Sequence, residues 1–234
     1  CTMMACGAKK GKQFIVGFDA EFPPYGYMDE SGEYTGFDLE LAQEVCDRKG
    51  WELVKKPINW DSKDMELNSG SIDCIWNGMT ISEDATKNTS VSKAYVKNAQ
   101  VVVMKADKAG EYTRVEDLSK LTFAAENGSA GEAALKELSY NTTGVTAQSD
   151  ALMEVASGST DACVIDITMA NAMTGEGTSY KDLAIACELT SEEYGVSFRT
   201  GSDMVEKFNE VLDEFLADGT LDRLAEKYSL TLVK

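Results

Sequence analysis

The chain has 234 residues, 43% of them hydrophobic, which is enough for one large domain or for two lobes of ordinary size, each with its own core. Its 40 acidic and 22 basic side chains leave a formal net charge of −18, which excludes the Lys/Arg face that a nucleic acid requires and disfavours anionic membrane surfaces. With no histidine in the sequence, a Ser-His-Asp triad, a Cys-His pair and a histidine general base are excluded as well.

At the start, Cys1 precedes a short polar stretch from Gly7 to Lys12. This resembles the beginning of a mature bacterial lipoprotein. The resemblance implies that Cys1 carries a lipid, that residues 1–12 are a flexible tether, and that the protein works outside the cytoplasm, touching the membrane only through that lipid. No apolar run approaches the ~18 to 20 residues of a membrane span.

Phe14 to Phe18 reads as a first strand, ended by a loop in which Pro23 and Pro24 forbid a continuing ladder. A helix is predicted from about Asp38, with Leu39, Ala42, Val45 and Cys46 on one face and Gly50 as its stop. Strands follow at Leu53 to Lys55, Ile72 to Trp76 and Gln100 to Met104, the alternation of a mostly parallel α/β layer. The pattern then restarts. A strand at Leu121 to Ala124 leads through Asn127, Gly128 and Ser129 into a helix over Glu132 to Leu138. A strand near Val145, a helix over Asp150 to Ala156 and a strand at Ala162 to Ile165 come next. Leu183 to Ala186 and Gly195 to Phe198 read as two further strands. The apolar stripe Met204, Val205, Phe208, Val211, Leu212, Phe215 and Leu216 marks a core-packed helix closed by Gly219, and a short helix around Leu221, Leu224 and Tyr228 ends the chain.

Two phrases nearly repeat each other: Ser69 to Gly78 reads SGSIDCIWNG and Ser157 to Asp166 reads SGSTDACVID. Each predicts a helix end, a turn and a buried central strand, with Cys74 and Cys163 as small buried hydrophobes. The repetition implies two lobes of similar construction. Ligands of open α/β sheets bind beyond the carboxyl ends of the strands, so the loops after Phe18, Trp76, Ala124 and Ile165 should meet in one cleft. The cysteines show no zinc-like spacing, and neither a metal nor a cofactor is expected.

Four stretches in order carry a more specific resemblance: Phe22 to Tyr25, Tyr34 to Ala42, Asn77 to Ser82, and Ala217 to Thr220. Together they look like the extracytoplasmic solute-binding proteins of polar amino-acid ABC importers, over nearly the whole chain from about residue 13. The resemblance implies an α/β, two-lobed periplasmic-binding-protein fold of type II, open lobes joined by a two-strand hinge with the ligand cleft between them. Lobe 1 would comprise 13–105 and 196–234 and lobe 2 106–195, with hinge crossings near Met104 to Asp107 and Ser191 to Val196. It implies a small-molecule solute and a permease as partners, a monomer, and no enzyme activity. A dehydratase on the same scaffold is the remote alternative.

Residue by residue, the resemblance places an aromatic wall at Phe22 and Trp60 and puts Gly78, Met79 and Thr80, after Asn77, against a ligand carboxylate. Asp166 falls where an ammonium is bound, a charge-assisted contact. The family's carboxylate-clamping arginine is missing: counting on from Thr80 through Ile81, Ser82, Glu83 and Asp84 reaches Ala85. In the second lobe a usual hydroxyl position falls on Ala130, beside Ser129. The amine end, by contrast, gains Asp19 and Glu21. Two readings stay open. Lys87 could supply the lost charge for an amino acid, or the solute could be an amine or quaternary ammonium compound without an α-carboxylate.

Overall fold

The structure, a computed structural model, describes residues 11–233. Cys1, Cys6 and the expected tether up to residue 10 lie outside the described residues. Strand β1 (Gln13–Phe18) is followed by a small antiparallel sheet of β2 (Glu21–Phe22), β3 (Gly26–Met28) and β4 (Tyr34–Thr35), in which the ladder stops at Pro23 and Pro24, as expected, and β2 and β3 pair across them. Helix α1 (Phe37–Lys49) carries Asp38 and Glu40 in its first turn and Arg48 and Lys49 in its last, each sign favourable to the helix dipole. Gly50 caps it in the left-handed conformation. Then come β5 (Glu52–Pro57), a single 3-10 turn over Trp60–Ser62, α2 (Lys63–Ser69), β6 (Cys74–Thr80), α3 (Glu83–Asn88), β7 (Ser90–Val91) and β8 (Val96–Lys105).

The second half repeats the order. After α4 (Ala106–Ala109) follow β9 (Thr122–Glu126), α5 (Ala130–Glu137), β10 (Asn141–Val145), α6 (Gln148–Ser157), β11 (Ala162–Asp166) and α7 (Ile167–Met173). The chain returns through β12 (Leu183–Phe198) and ends in α8 (Met204–Asp218) and α9 (Thr220–Lys227). The two strands expected at Leu183 to Ala186 and Gly195 to Phe198 are therefore one, because the polar segment between them pairs with β8.

The sheet order β10-β9-β11-β8-β12-β6-β1-β5 has an internal symmetry. In one half β1 pairs in parallel with β5 and β6, and β6 meets β12 antiparallel. In the other, β9 pairs in parallel with β10 and β11, and β11 meets β8 antiparallel. The repeated phrase occupies the equivalent place in both. Gly70 and Gly158 cap α2 and α6 with φ of 80° and 82°. Asp73 then accepts the Ile15 N–H at 2.8 Å, and Asp161 accepts the Thr122 N–H at 2.9 Å, so each Asp fastens the phrase to the start of its lobe's first strand. Cys74 and Cys163 follow, fully buried as free thiols.

The pairings also correct a boundary. The first crossing was expected at Met104 to Asp107, yet Gln100 to Met104 pair with β11 and belong to the second half. At Val96 the same strand faces Tyr194, which itself faces Thr80 of the first half. The crossing on β8 thus falls between Val96 and Gln100, and that on β12 between Thr190 and Tyr194, overlapping the expected Ser191 to Val196. Of the predicted α8 stripe, Phe208, Val211, Leu212 and Phe215 are buried, with Phe208 edge-on to Trp76 at 4.8 Å, Met204 and Val205 are half-buried, and Leu216 is exposed, at the margin of the packed face. Among the described residues no helix is long and apolar enough to cross a membrane.

Candidate functional site

A cleft of about 560 Å³ opens between the two halves, a size suited to a small molecule. Asp19, Phe22, Trp60, Asn77, Gly78, Met79, Thr80 and Ala85 line it from the first half, and Glu126, Ser129, Ala130, Gln148 and Asp166 from the second. Ten of the residues expected at the site are thus brought together, and two are not. Glu21 lies at the edge, where its Oε2 accepts the Ser149 hydroxyl at 2.7 Å across the lobes. Lys87 does not reach the cleft: it sits in α3, exposed, and pairs with Glu83 one helical turn earlier at 2.9 Å. The helix turns the lysine toward solvent, so the proposed substitute for the missing arginine is corrected.

Asp166 is the most connected side chain. It closes β11, is 4% exposed, and its Oδ1 accepts from Asn98, from Gln100 at 2.9 Å and from the Tyr194 hydroxyl. Its Oδ2 takes Gln148 alone, which leaves lone-pair capacity on the oxygen at the cleft. Burial, followed by the charge of Glu192, pushes its carboxyl above the ordinary range, while the donors from Tyr194, Gln148 and Asn98 pull the other way. Glu192 stands in the β12 crossing and accepts from Asn98 at 2.7 Å, Gln100 at 2.8 Å and the Thr80 hydroxyl at 3.0 Å. Both hinge strands therefore contribute polar groups to the site, none of which the motifs identify.

The carboxylate end is poorer than expected. The Gly78 N–H donates to Asp38 at 2.6 Å, and the Thr80 hydroxyl is held by Glu192, so neither is free for a ligand carboxylate in this arrangement. Asp38, fully buried, also accepts the Tyr95 hydroxyl at 2.7 Å and so ties the Gly78 turn to α1. Ser129 caps α5 by accepting the Glu132 N–H at 3.1 Å. The backbone donors that remain beside it are the first-turn amides of α5 at Ala130 and Gly131, whose helix offers them no acceptor.

The opposite end is acidic. Asp19 Oδ1 accepts the Glu21 N–H at 2.9 Å, while Oδ2 is buried without a partner among the described residues. Glu126, 3% exposed, leaves Oε1 in the same condition. Burial, together with the charges of Glu21 and Asp150, pushes Asp19 up to about 6 against the backbone hydrogen bond from Glu21. Burial and then the charges of Asp19 and Asp166 push Glu126 up to about 9, and Lys63 and Gln148 oppose this. Lys63, the cation beside them, donates to the Gly128 carbonyl at 2.8 Å and lies 5.1 Å from the Trp60 ring centroid. Glu126 escaped the motif reading, although it ends the strand whose following loop was expected at the cleft.

The raised carboxylates set a pH dependence. Asp19, Asp38 and Glu126 hold protons in the folded state up to about 6, 7 and 9, against 3.8, 3.8 and 4.5 in the unfolded chain. The native state binds more protons through this window, so the stability that these groups contribute is complete below about pH 4 and is lost as pH rises through the folded values. The empty protein is expected to melt on the order of 5 °C higher at about pH 5 than at about pH 8. The lowered surface carboxylates, such as Asp218 at about 2, titrate below this range. A melting temperature that stays flat or rises between those pH values, by circular dichroism at fixed ionic strength, would contradict the burial of these acids.

Comparison with known proteins matches residues 14–231 to the bacterial extracellular solute-binding proteins, family 3. The arginine-binding extracellular protein ArtP of Bacillus subtilis (strain 168) is 28% identical over 235 residues, covering 97% of this chain and 91% of that protein. Among solved structures, an ancestral arginine-binding protein bound to arginine is 32% identical with a TM-score of 0.86, covering 92% of this chain and 97% of that one. An ABC uptake transporter substrate-binding protein from Streptococcus pneumoniae with bound histidine is 29% identical with a TM-score of 0.83, covering 92% and 94%. The duplicated halves, the two-strand crossing and the cleft between them are the architecture of these two-lobed neighbours, and the chain belongs to the bacterial extracellular solute-binding proteins, family 3.

Proposed function

We propose that the cleft captures a small amino acid outside the cytoplasm and, by closing on it, presents it to the permease of an ABC importer. The observation that carries this reading is Asp166, a buried carboxylate whose Oδ2 has room for an ammonium and whose donors come from both hinge strands and α6. A solute there is attached to the elements that set the angle between the lobes. Closure is supported by contacts that bridge the halves: Tyr25 to Thr168 at 3.2 Å, Ser149 to Glu21 at 2.7 Å, and Lys63 to the Gly128 carbonyl at 2.8 Å. A solute that touches both halves stabilises the closed state by its differential affinity for it. The first-turn amides of α5 are the donors for an α-carboxylate in place of the family's arginine. The protein acts as a monomer and as a receptor, without turnover of the solute.

A second reading, an amine without a carboxylate, is favoured by Ala85, by the commitment of Gly78 and Thr80, and by the displacement of Lys87. Melting of the ligand-stripped protein with matched pairs of α-amino acids and their decarboxylated amines separates the two, because a ligand of the folded state raises the melting temperature by mass action. Shifts with amino acids alone support the first reading, and shifts with amines alone replace it by the second. Trp60→Ala is expected to weaken binding by about 10-fold through loss of its ring face to a cation or planar group. Unchanged affinity by calorimetry would return Trp60 to the cluster it shares with Leu67, Ile72 and Ile75.

A further inference from the structure

We propose that the cleft recognises the amino-terminal residue of a short peptide: its ammonium lies on Asp166, its carboxyl carbon is in amide linkage, and the rest of the peptide leaves between α3 and α5. This rests on the reading of the cleft as an amino-acid site and names the class of solute, an amino acid whose carboxyl group is substituted.

Three observations carry it. The first is that the cleft continues past Ala85. Its lining runs on along α3 to Glu83, Asp84 and Asn88 and along α5 to Ala133, Lys136 and Glu137, all six of them exposed, so this end is an exit to solvent. The whole cleft, about 560 Å³, is several times the roughly 150 Å³ that encloses a molecule the size of benzene. The second is that the exit offers no free cation to a carboxylate. Two lysines line the cleft: Lys63 is held by the Gly128 and Trp60 carbonyls at 2.8 and 3.3 Å, and Lys136 pairs with Glu132 of its own helix at 2.8 Å. Glu83, Asp84, Glu132 and Glu137 make the rim acidic, and Lys87 on α3 is taken by Glu83 at 2.9 Å. A free α-carboxylate here meets like charge, whereas an amide carbonyl is neutral.

The third is the donor set. The Gly78 N–H and the Thr80 hydroxyl are committed to Asp38 and Glu192. The first-turn amides of α5 at Ala130 and Gly131 remain, and two N–H groups satisfy the single oxygen of an amide, whereas a carboxylate presents two oxygens with about four acceptor sites. Ala85, packed in one apolar cluster with Trp60 and Met79, sets a methyl beside that group in place of a charge. The site thus selects charge at the ammonium and avoids it at the carboxyl. Two further residues add roughly 7 Å of extended chain, which carries a tripeptide's own carboxylate away from the interior toward solvent, where the rim acids are screened.

Calorimetry on the ligand-stripped protein near neutral pH tests this with four forms of one residue: the free L-amino acid, its amide, its tripeptide with two following glycines, and its decarboxylated amine, taking alanine, glutamine, phenylalanine and lysine as parents in turn. For the parent that binds best, the amide and the tripeptide are expected to bind at least ~10-fold more tightly than the free amino acid and the amine. Ala133→Trp, at an exposed position on the exit, is expected to weaken the tripeptide at least ~10-fold more than the amide, by obstructing the path of the second and third residues. Ala85→Arg, which adds a cation beside the carboxyl, is expected to bring the free amino acid above the amide. Equal or tighter binding of the free amino acid by the wild type overturns the inference and leaves the amino-acid reading standing. An undiminished tripeptide affinity in folded Ala133→Trp overturns the exit. Amines that bind as tightly as the amides overturn the inference in favour of the amine reading. If no form of any parent binds, the inference falls, and the melts with matched pairs decide the amino-acid reading alone.

Discussion

Asp166→Ala is expected to weaken solute binding by about 100-fold or more, since it removes the only carboxylate on β11 that faces the cleft and exposes a bound ammonium to an apolar methyl. The effect has a second source. Asn98, Gln100, Gln148 and Tyr194 all donate to Asp166, and its loss takes this acceptor from Gln148 and Tyr194, while Asn98 and Gln100 keep Glu192. Two of these stand on β8 and one on β12, so the relative position of the lobes loosens along with the contact. Asp166→Asn separates the two contributions: it retains the volume and part of the acceptor capacity, and it should fold with a melting temperature nearer the wild type while still losing the charge. The check is calorimetry of both variants with the tightest wild-type ligand, alongside thermal melts. Binding within about threefold of wild type in a folded Asp166→Ala protein would detach Asp166 from the solute.

Gly78→Ala is expected to destabilise the fold by on the order of 3 kcal/mol, lowering the melting temperature by roughly 6 to 12 °C. Gly78 has φ of 57°, a left-handed conformation that costs an alanine ~1 kcal/mol. Its Cβ would also stand 2.4 Å from Cε1 of Phe22 and 3.1 Å from Cε2 of Tyr194. Phe22 cannot yield freely, being 4% exposed and stacked on Tyr25 at 5.2 Å. Tyr194 is held by its hydroxyl on Asp166. The substitution therefore presses on the aromatic wall and the hinge together, and binding should fall with stability. A melting temperature within about 2 °C of wild type would show that Phe22 has room to move.

Much of the architecture was legible without coordinates. The helix over Phe37–Lys49, the α8 stripe, the strands that open each half and the equivalence of the two Ser-Gly-Ser phrases follow from local rules: apolar periodicity, glycine at helix ends and strands bounded by turn residues. These rules depend on neighbours within a few residues, and the chain contains them wherever it folds. The position of Asp166 at the end of a central strand came from the same reasoning.

Other features depended on contacts between distant segments. The polar run Glu188 to Glu193 has no strand signature of its own and becomes part of β12 because β8 supplies the ladder. The hinge crossing near Asn98 moved from its expected place for the same reason, since register between β8 and β11 is set by a partner about sixty residues away. Lys87 carried the right charge at a plausible spacing, but the rotation of α3 points it at Glu83. The Gly78 amide looked available until Asp38, forty residues earlier, was found to hold it. Glu126 read as an ordinary acid after a strand, and only the packing of one lobe against the other buries it opposite Asp19. Sequence by itself determined which segments are strands and helices and that they are written twice, because backbone preference and side-chain period are local. Which polar groups remain free in the cleft was decided by tertiary structure alone, because burial and hydrogen-bond commitment are properties of pairs of surfaces brought together by the fold.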